Sequence, residues 1–191
     1  MIKDNPKSFF GYSDVTVILN SIYSKSNIDT YLYQIRNLIG SNREEQIFNF
    51  VETFINEKNN IYNFEYKWIQ NKKMEGIVIG GNIRCFLKLV GTKFIPTFKN
   101  KILFLESLSG NAARIKSYLT QYKNMGVFNE VNGVILGTFK EMEINKYNLT
   151  VEELVLDIIN NENLPIVKTK NIGHGNDSKC LVLGKKIILE S

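Results

Sequence analysis

Residues 101–106 read KILFLE, an apolar run that opens with a lysine and closes on Glu106. A run of this kind is typical of a strand buried on both faces of a mainly parallel sheet. GVILGTF at 133–139 has the same character, and the segment 111–125 between the two runs carries apolar residues at helical spacing. Strands that alternate with helices in this way predict an α/β fold.

The alternation extends towards both ends of the chain. SFFGY at 8–12 predicts a short strand that turns directly into a helix, in which apolar side chains recur at Val15, Ile18, Leu19 and Ile22. Downstream, TVEELVLDIIN at 150–160 predicts a helix whose start has capping-box spacing. LPIVK and CLVLGKKIIL then predict the last short strands.

A second helix is predicted from REEQIFNFVETFINEK at 43–58, ending near residue 60. It carries one apolar stripe, which we expect to face the core: Ile47, Phe48, Val51, Phe54 and Ile55. The Asn-rich, charged stretch 56–75 is the best candidate for a boundary. We therefore predict two units, a shorter one over 1–60 and a longer one over 61–191.

The composition is that of an ordinary globular protein, and it disfavours several classes of function. The chain has 191 residues and a net charge of +5, but its lysines are scattered and form no stripe suited to nucleic acid. No apolar stretch approaches the roughly 18 residues that span a bilayer, and the polar start MIKDNPK does not fit a secretory signal. We expect a cytoplasmic protein without membrane or nucleic-acid partners.

Ser13 lies in GYSD, where the first predicted strand turns into a helix. A nucleophile elbow exposes a hydroxyl at such a point, beside a free helical amide that can bind an oxyanion. The same serine also fits a helix cap, because it is followed by Asp14 and because Val15 replaces the second glycine of GxSxG. The motif alone leaves both interpretations open.

Glu106 and His174 are the other two candidates. Glu106 ends a predicted strand, and the carboxyl ends of parallel strands are where α/β folds place their sites. His174, the only histidine, lies in IGHGND between glycines that can aim an imidazole. With Ser13 these residues form a hydrolase triad, in which the imidazole takes the serine proton and the carboxylate orients the imidazole. No phosphate loop or zinc-ligand spacing is present, so no metal or cofactor is expected.

Five blocks, in order along the chain, resemble the serine LD-carboxypeptidase family (peptidase family S66), which also includes microcin-immunity hydrolases. They are NPKSFFGYSDVTVILNSIY, EGIVIGGNI with KLVGT, KILFLES, RIKSYLTQYKNMGVF with NGVILG, and GHGND. The resemblance implies a C-terminal LD-carboxypeptidase-type α/β domain preceded by the remnant of a flavodoxin-like domain. It also implies that Ser13 is the nucleophile, that Glu106 and His174 complete the triad, and that the backbone N–H of Asp14 stabilises the oxyanion.

The implied reaction is removal of the terminal D-alanine from a muropeptide tetrapeptide, through an acyl-enzyme on Ser13, in peptidoglycan recycling. A hydrolase of aminoacyl-nucleotide toxins is an alternative, in which Trp68 would stack on a nucleobase, although a lone tryptophan also fits core packing. A remnant that binds muropeptide or a partner chain without turnover is a further alternative. A cysteine hydrolase with Cys180 and His174 is the least favoured, because Cys180 enters an apolar run.

Asn82, which opens a short predicted helix after two glycines, has two interpretations. It caps that helix, or it helps to hold a substrate carboxylate.

The chain also departs from the family. A usual member has a flavodoxin-like segment ahead of the position of Met1, and the loss of the oxyanion amide supplied there is expected to cost about 100- to 1000-fold in turnover. TYLYQIR at 30–36 stands in place of a Thr-Tyr-His-Gly-Pro-like block, and VLG at 182–184 in place of Pro-Leu-Gly. We also expect the SFFGY strand to have an unpaired edge and the chain to form a homodimer through this region.

Overall fold

The computed structural model describes residues 2–145 and 149–191. The first part of the chain contains, in order, β1 (Phe10–Gly11), a 3₁₀ turn (Ser13–Val15), α1 (Thr16–Ser26), β2 (Thr30–Leu32), a second 3₁₀ turn (Ile35–Ile39) and α2 (Arg43–Phe54). The middle contains β3 (Lys67–Gln70), β4 (Lys73–Asn82), α3 (Ile83–Leu87), β5 (Lys101–Ser107), α4 (Ala112–Asn124) and α5 (Val127–Glu130). The last part contains β6 (Gly133–Phe139), α6 (Lys140–Asn145), α7 (Val151–Ile159), β7 (Ile166–Lys168), β8 (Leu181–Leu183) and β9 (Lys186–Glu190).

The larger sheet has six strands in the order β3-β7-β6-β5-β4-β9. Strands β4 to β7 are parallel, while β3 and β9 pair antiparallel at the two edges. Alternate residues of β5 join different hydrophobic clusters, Leu103 and Leu105 on one face and Ile102 and Phe104 on the other. The sheet is therefore covered on both faces, and the α/β fold predicted from KILFLE is confirmed.

The smaller sheet has three strands in the order β1-β2-β8. β1 pairs parallel with β2, and β2 pairs antiparallel with β8, with Thr30 opposite Leu183 and Leu32 opposite Leu181. Two residues separate β8 from β9, so the end of the chain adds one strand to each sheet. β1 occupies the outer position, as expected for the SFFGY strand.

Helices α3, α4, α5 and α7 cover one face of the larger sheet and the smaller sheet covers the other, while α1 contributes Tyr23 to the first cluster and Leu19 to the second. The start of α7 follows the predicted pattern: the Thr150 hydroxyl accepts a hydrogen bond from the Glu153 N–H, and the Glu153 carboxylate accepts one from the Thr150 N–H. The capping box is therefore confirmed. None of the helices within the described ranges has the length and apolarity that a membrane span requires.

α2 contradicts the sequence prediction. The helix ends at Phe54 rather than near residue 60, and most of its apolar stripe faces solvent, since Ile47, Phe48, Val51 and Ile55 are 46%, 60%, 40% and 70% exposed. Its buried positions are polar: Gln46, Asn49 and Thr53. Two of them accept hydrogen bonds there: the Tyr33 hydroxyl donates to Gln46 Oε1 at 2.8 Å, and the Ile61 N–H donates to Thr53 Oγ1 at 3.0 Å.

α1 differs from its prediction in the same sense. Ile18, expected to face inward, is 57% exposed, whereas Leu19 is buried as expected. The polar side chains of Thr16 and Asn20 are fully buried and lie against the larger sheet. Apolar periodicity therefore located both N-terminal helices but assigned part of the wrong face to the core.

Candidate active site

Ser13 begins the 3₁₀ turn between β1 and α1, and its φ of 55° lies in the left-handed region. A non-glycine residue there is strained, and such strain is common at active sites. The tight turn requires glycine at position 11, because a Cβ there would overlap the side chain of Val15. The N-cap positions of the turn and of α1 are Tyr12 and Val15, and neither side chain makes a capping hydrogen bond, so Ser13 is the cap residue of neither element. Ser13 therefore lies in a strained strand-to-helix turn and not at a cap position, while its role as a nucleophile stays a prediction.

α1 is fixed to the larger sheet by two buried polar side chains. Asn20 Nδ2 donates to the carbonyl of Gly80 at 2.8 Å, and Asn20 Oδ1 accepts from the Gly80 N–H at 3.0 Å. Thr16 Oγ1 accepts from the N–H of Asn82 at 3.1 Å. A Cβ at Gly81 would approach Thr16 Oγ1 to 2.5 Å, so this close contact requires glycine. These contacts hold the Ser13 turn at the carboxyl end of β4.

Glu106 and His174 are brought together at the adjoining strand end. The register of β4 and β5 sets Asn82 beside Glu106, and Asn82 Nδ2 donates to Glu106 Oε1 at 3.2 Å. His174 Nε2 lies 3.2 Å from Glu106 Oε2, with Glu106 fully buried and His174 nearly so. The Nε2–H bond is not directed at the oxygen, so within the described residues neither atom has a well-aligned hydrogen-bond partner. A buried carboxylate needs a polar or charged neighbour such as this imidazole, because an unpaired charge in the interior is costly.

Tyr12 connects the elbow with this pair. Its ring packs edge-to-face on the His174 imidazole, with the ring centroids 5.1 Å apart. Burial, together with the nearby Glu106 carboxylate, raises the pKa of the Tyr12 hydroxyl well above its ordinary value. Ser13 therefore follows directly a residue that contacts the imidazole, although no Ser13–His174 hydrogen bond forms among the described residues. Hydrogen bonds between catalytic groups are often long before substrate binds.

Asp14 has an exposed side chain, and its backbone N–H is the expected oxyanion donor. Hydrogen bonds from the Cys85 thiol, at 2.9 Å, and from Lys88, at 3.3 Å, lower the pKa of the Asp14 carboxyl, and Arg84 lies 3.5 Å away. These contacts tie the first turn after Ser13 to α3. In the described part of the chain the Asp14 N–H donates to no backbone acceptor, and its role as an oxyanion donor stays a prediction.

Asn82 caps α3, as the simpler of its two interpretations predicted. Its Oδ1 accepts from the N–H of Cys85 at 3.2 Å while its Nδ2 contacts Glu106. Both ends of this buried amide are therefore occupied inside the protein. A role in holding a substrate carboxylate stays an untested prediction.

The alternative residues lie in other surroundings. Cys180 is buried beside Tyr33 and Ile61, and burial strongly raises the pKa of its thiol, which disfavours a reactive thiolate. Trp68 is half-buried, packs near Tyr66 and lines a surface pocket of about 720 Å³. Within the ranges that the structure describes, no three histidine, cysteine or carboxylate side chains cluster as metal ligands would.

The polar residues that align the site were not predicted from the sequence. Thr16, Asn20 and Gln34 are all buried and all contact backbone far away in sequence. Their position in the sequence could have indicated them, because polar residues within apolar segments next to candidate site residues are often buried and hydrogen-bonded.

Comparison with known proteins assigns the family. The family model described as the LD-carboxypeptidase C-terminal domain matches residues 75–189, and that of the LD-carboxypeptidase N-terminal domain matches residues 1–33. This chain belongs to the LD-carboxypeptidase family. The two matches leave the predicted boundary near residue 60 untested, because neither covers the segment between them.

Individual members of the family cover nearly the whole chain. The microcin C7 self-immunity protein MccF of Escherichia coli is 24% identical over 220 residues, which include 97% of this chain and 63% of that protein. A probable murein peptide carboxypeptidase of Bacillus subtilis is 24% identical over 204 residues, covering 100% and 62%. A structure of MccF in complex with glutamyl sulfamoyl guanosine matches with a TM-score of 0.83 and 21% identity over 99% of this chain and 66% of that one, and so shows the shared fold. The chain thus spans less than two thirds of the length of these relatives.

Proposed function

We propose that this LD-carboxypeptidase family member is a serine hydrolase that removes the terminal D-alanine from muropeptide tetrapeptides. The observation that carries the proposal is the 3.2 Å contact between His174 Nε2 and Glu106 Oε2, next to the strained turn of Ser13. A carboxylate that orients an imidazole beside a serine is the arrangement of a hydrolase triad. The murein peptide carboxypeptidase of Bacillus subtilis among the relatives supports the substrate class.

The reaction would proceed in two steps. Ser13 Oγ attacks the carbonyl carbon of the scissile amide while His174 takes the hydroxyl proton, and the Asp14 N–H stabilises the oxyanion. Because Nε2 faces Glu106, Nδ1 is the ring nitrogen left to exchange this proton. The carbon–nitrogen bond then breaks, His174 returns the proton to the amine of D-alanine, and the shortened peptide stays esterified to Ser13. Water hydrolyses the ester with His174 again as base, which restores the serine.

Hydrolysis of an aminoacyl-nucleotide toxin is the second candidate. It is favoured by the fold shared with MccF and by sequence similarity to that immunity protein across nearly the whole chain. The Ser13, His174 and Glu106 chemistry would be the same, since an acyl group is again transferred to the serine. The two candidates differ in the leaving group, which is a D-amino acid in one case and a nucleoside derivative, such as the sulfamoyl nucleoside bound to MccF, in the other.

The test incubates the full chain with a murein tetrapeptide and, separately, with glutamyl sulfamoyl guanosine, and follows products by mass spectrometry. Release of D-alanine from the tetrapeptide supports the first proposal, whereas release of glutamate alone supports the second. Ser13→Ala and His174→Ala must each abolish the activity. Ser21→Ala is the matched control, because Ser21 lies on α1 but its hydroxyl donates to the Val17 carbonyl at 2.7 Å. If the tetrapeptide binds specifically and neither substrate yields a product, both hydrolytic functions are contradicted and a binding protein is favoured.

A further inference from the structure

The segment between β2 and the second 3₁₀ turn contacts the loop that carries His174. Gln34 Nε2 donates to the carbonyl of Gly173 at 2.7 Å and to that of Gly175 at 3.3 Å. Gln34 is 5% exposed, and 139 positions of sequence separate it from Gly173. One side-chain amide therefore donates to the carbonyls of both glycines that flank the imidazole-bearing residue.

Two neighbours reinforce this contact. Asn37, 2% exposed, donates from Nδ2 to the Gly175 carbonyl at 3.1 Å. Arg36 Nε donates to Gln34 Oε1 at 3.1 Å, which fixes the orientation of the Gln34 amide. Every polar atom of the Gln34 side chain therefore has a partner.

The opposite side of the loop is held by β6. Thr138 Oγ1 accepts from the His174 N–H at 3.3 Å, and the Thr138 N–H donates to the Ile172 carbonyl at 3.0 Å. A Cβ on Gly173 would overlap the Thr138 side chain. The loop backbone is thus enclosed between Thr138 on one side and Gln34 with Asn37 on the other.

We propose that Gln34 is a positioning residue that fixes the His174 imidazole against Glu106, and that Asn37 assists it. The inference rests on the proposed serine-hydrolase function. Glycine on both sides of His174 gives the backbone wide freedom, so the ring direction depends on what holds the carbonyls of these two glycines. Displacing a catalytic group by about 1 Å can cost on the order of 100-fold in rate. Gln34 acts through the loop backbone and does not touch the reacting atoms.

The chain contains a matched control for a purely structural role. Gln70 Nε2 also donates to two backbone carbonyls, those of Asn161 at 2.8 Å and Leu164 at 2.6 Å. Gln70→Met therefore removes the same chemical groups as Gln34→Met, but at the edge of the larger sheet. A loss common to both variants reports stability, and a loss specific to Gln34→Met reports the alignment of His174.

Two readouts on the full chain test the proposal. The first is the ¹H–¹⁵N spectrum of the imidazole, which is unambiguous because His174 is the only histidine. The second is the rate at which an alkyl fluorophosphonate labels Ser13: a bond forms between Oγ and phosphorus, fluoride leaves, and His174 takes the hydroxyl proton. This probe needs no knowledge of the natural substrate.

Gln34→Met is expected to shift the imidazole resonances and to slow labelling by about 10- to 100-fold, while Gln70→Met stays within about twofold of the parent chain. Labelling of Gln34→Met at the rate of Gln70→Met overturns the proposal, whatever the imidazole spectrum shows. If the parent chain is not labelled at all, the hydrolase function fails, and the imidazole comparison alone decides: a shift specific to Gln34→Met supports the positioning role and its absence overturns it. If Gln34→Met does not fold, Asn37→Leu carries the same comparison.

Discussion

Asn20 and Gly80 exchange two hydrogen bonds, one in each direction, between the helix that follows Ser13 and the strand that leads to Asn82. The Asn20 side chain thereby supplies the hydrogen bonds that a neighbouring strand would otherwise make to the N–H and carbonyl of Gly80 in β4. This buried pair fixes the distance between the serine-bearing turn and the strand end next to Glu106.

Asn20→Leu should destabilise the fold strongly. The change leaves the Gly80 N–H and carbonyl buried without partners, and each such group costs about 1–3 kcal/mol. We expect a loss of about 3 kcal/mol in the free energy of unfolding, measured by urea denaturation. Asn132→Ala, which removes one exposed hydrogen bond to the Glu75 carbonyl, should change it by no more than about 0.5 kcal/mol. Equal effects of the two variants would contradict this account.

Ser13 should show a conflict between stability and activity. Its φ of 55° favours glycine over any residue with a Cβ. Both Ser13→Gly and Ser13→Ala remove the hydroxyl, but Ser13→Gly should be the more stable by about 1 kcal/mol in chemical denaturation. If Ser13→Ala proves as stable as Ser13→Gly, the left-handed backbone is not a source of strain in solution.

Tyr12 makes stability sensitive to alkali. Burial and the Glu106 carboxylate raise the pKa of Tyr12 well above its ordinary value of 10.0, so the folded state holds this proton longer than the unfolded chain does. The resulting stability is fully present below pH 10.0 and is lost as the pH rises above that value. The urea midpoint of the Tyr12→Phe variant should therefore decrease less than that of the parent chain as the pH rises from about 9 to 11.5. Identical pH slopes for the two proteins would show that the Tyr12 hydroxyl is not held in this buried environment.

The exposed apolar face of α2 should promote self-association. Ile47, Phe48 and Val51 lie on solvent-facing positions, and α2 packs through Phe50 and Phe54 on Phe10 of the outer strand β1. Large exposed apolar patches and open strand edges both recruit other chains. We expect dimers in light scattering, shifted towards monomer by the double change Ile47→Lys and Phe48→Lys. Ile144→Lys, at a 66% exposed position on α6, is the control, and a parent chain that is monomeric at high concentration would refute the expectation.

The apolar pattern predicted two central strands of the larger sheet, and one of the helices that cover it, well. KILFLE, GVILGTF and the α7 segment gave the right type of structure at nearly the right bounds, because buried parallel strands and a capping box leave local signatures. The same method failed for α2, whose buried face carries Gln46, Asn49 and Thr53. Their burial depends on hydrogen-bonding partners elsewhere in the chain, and periodicity contains no information about such partners.

The candidate site was predictable as a set of chemical groups but not as a geometry. GYSD, the end of KILFLE and the GHG loop each supplied one residue, and the structure brings Glu106 and His174 into contact. What holds them, including Asn20 on Gly80 and Gln34 on the His174 loop, consists of side-chain contacts to distant backbone. A glutamine or asparagine that makes such a contact looks in sequence like any other polar residue.

The short link between β8 and β9 has a consequence for how the molecule can come apart. β8 completes the sheet that begins at the serine turn, and β9 closes the edge of the sheet that carries Glu106. The final eleven residues thus connect the two sheets, because they supply one strand to each. Deleting them would remove one strand from each sheet, so cleavage or deletion at this terminus should unfold the parts that carry Glu106 and Ser13 in a single cooperative event.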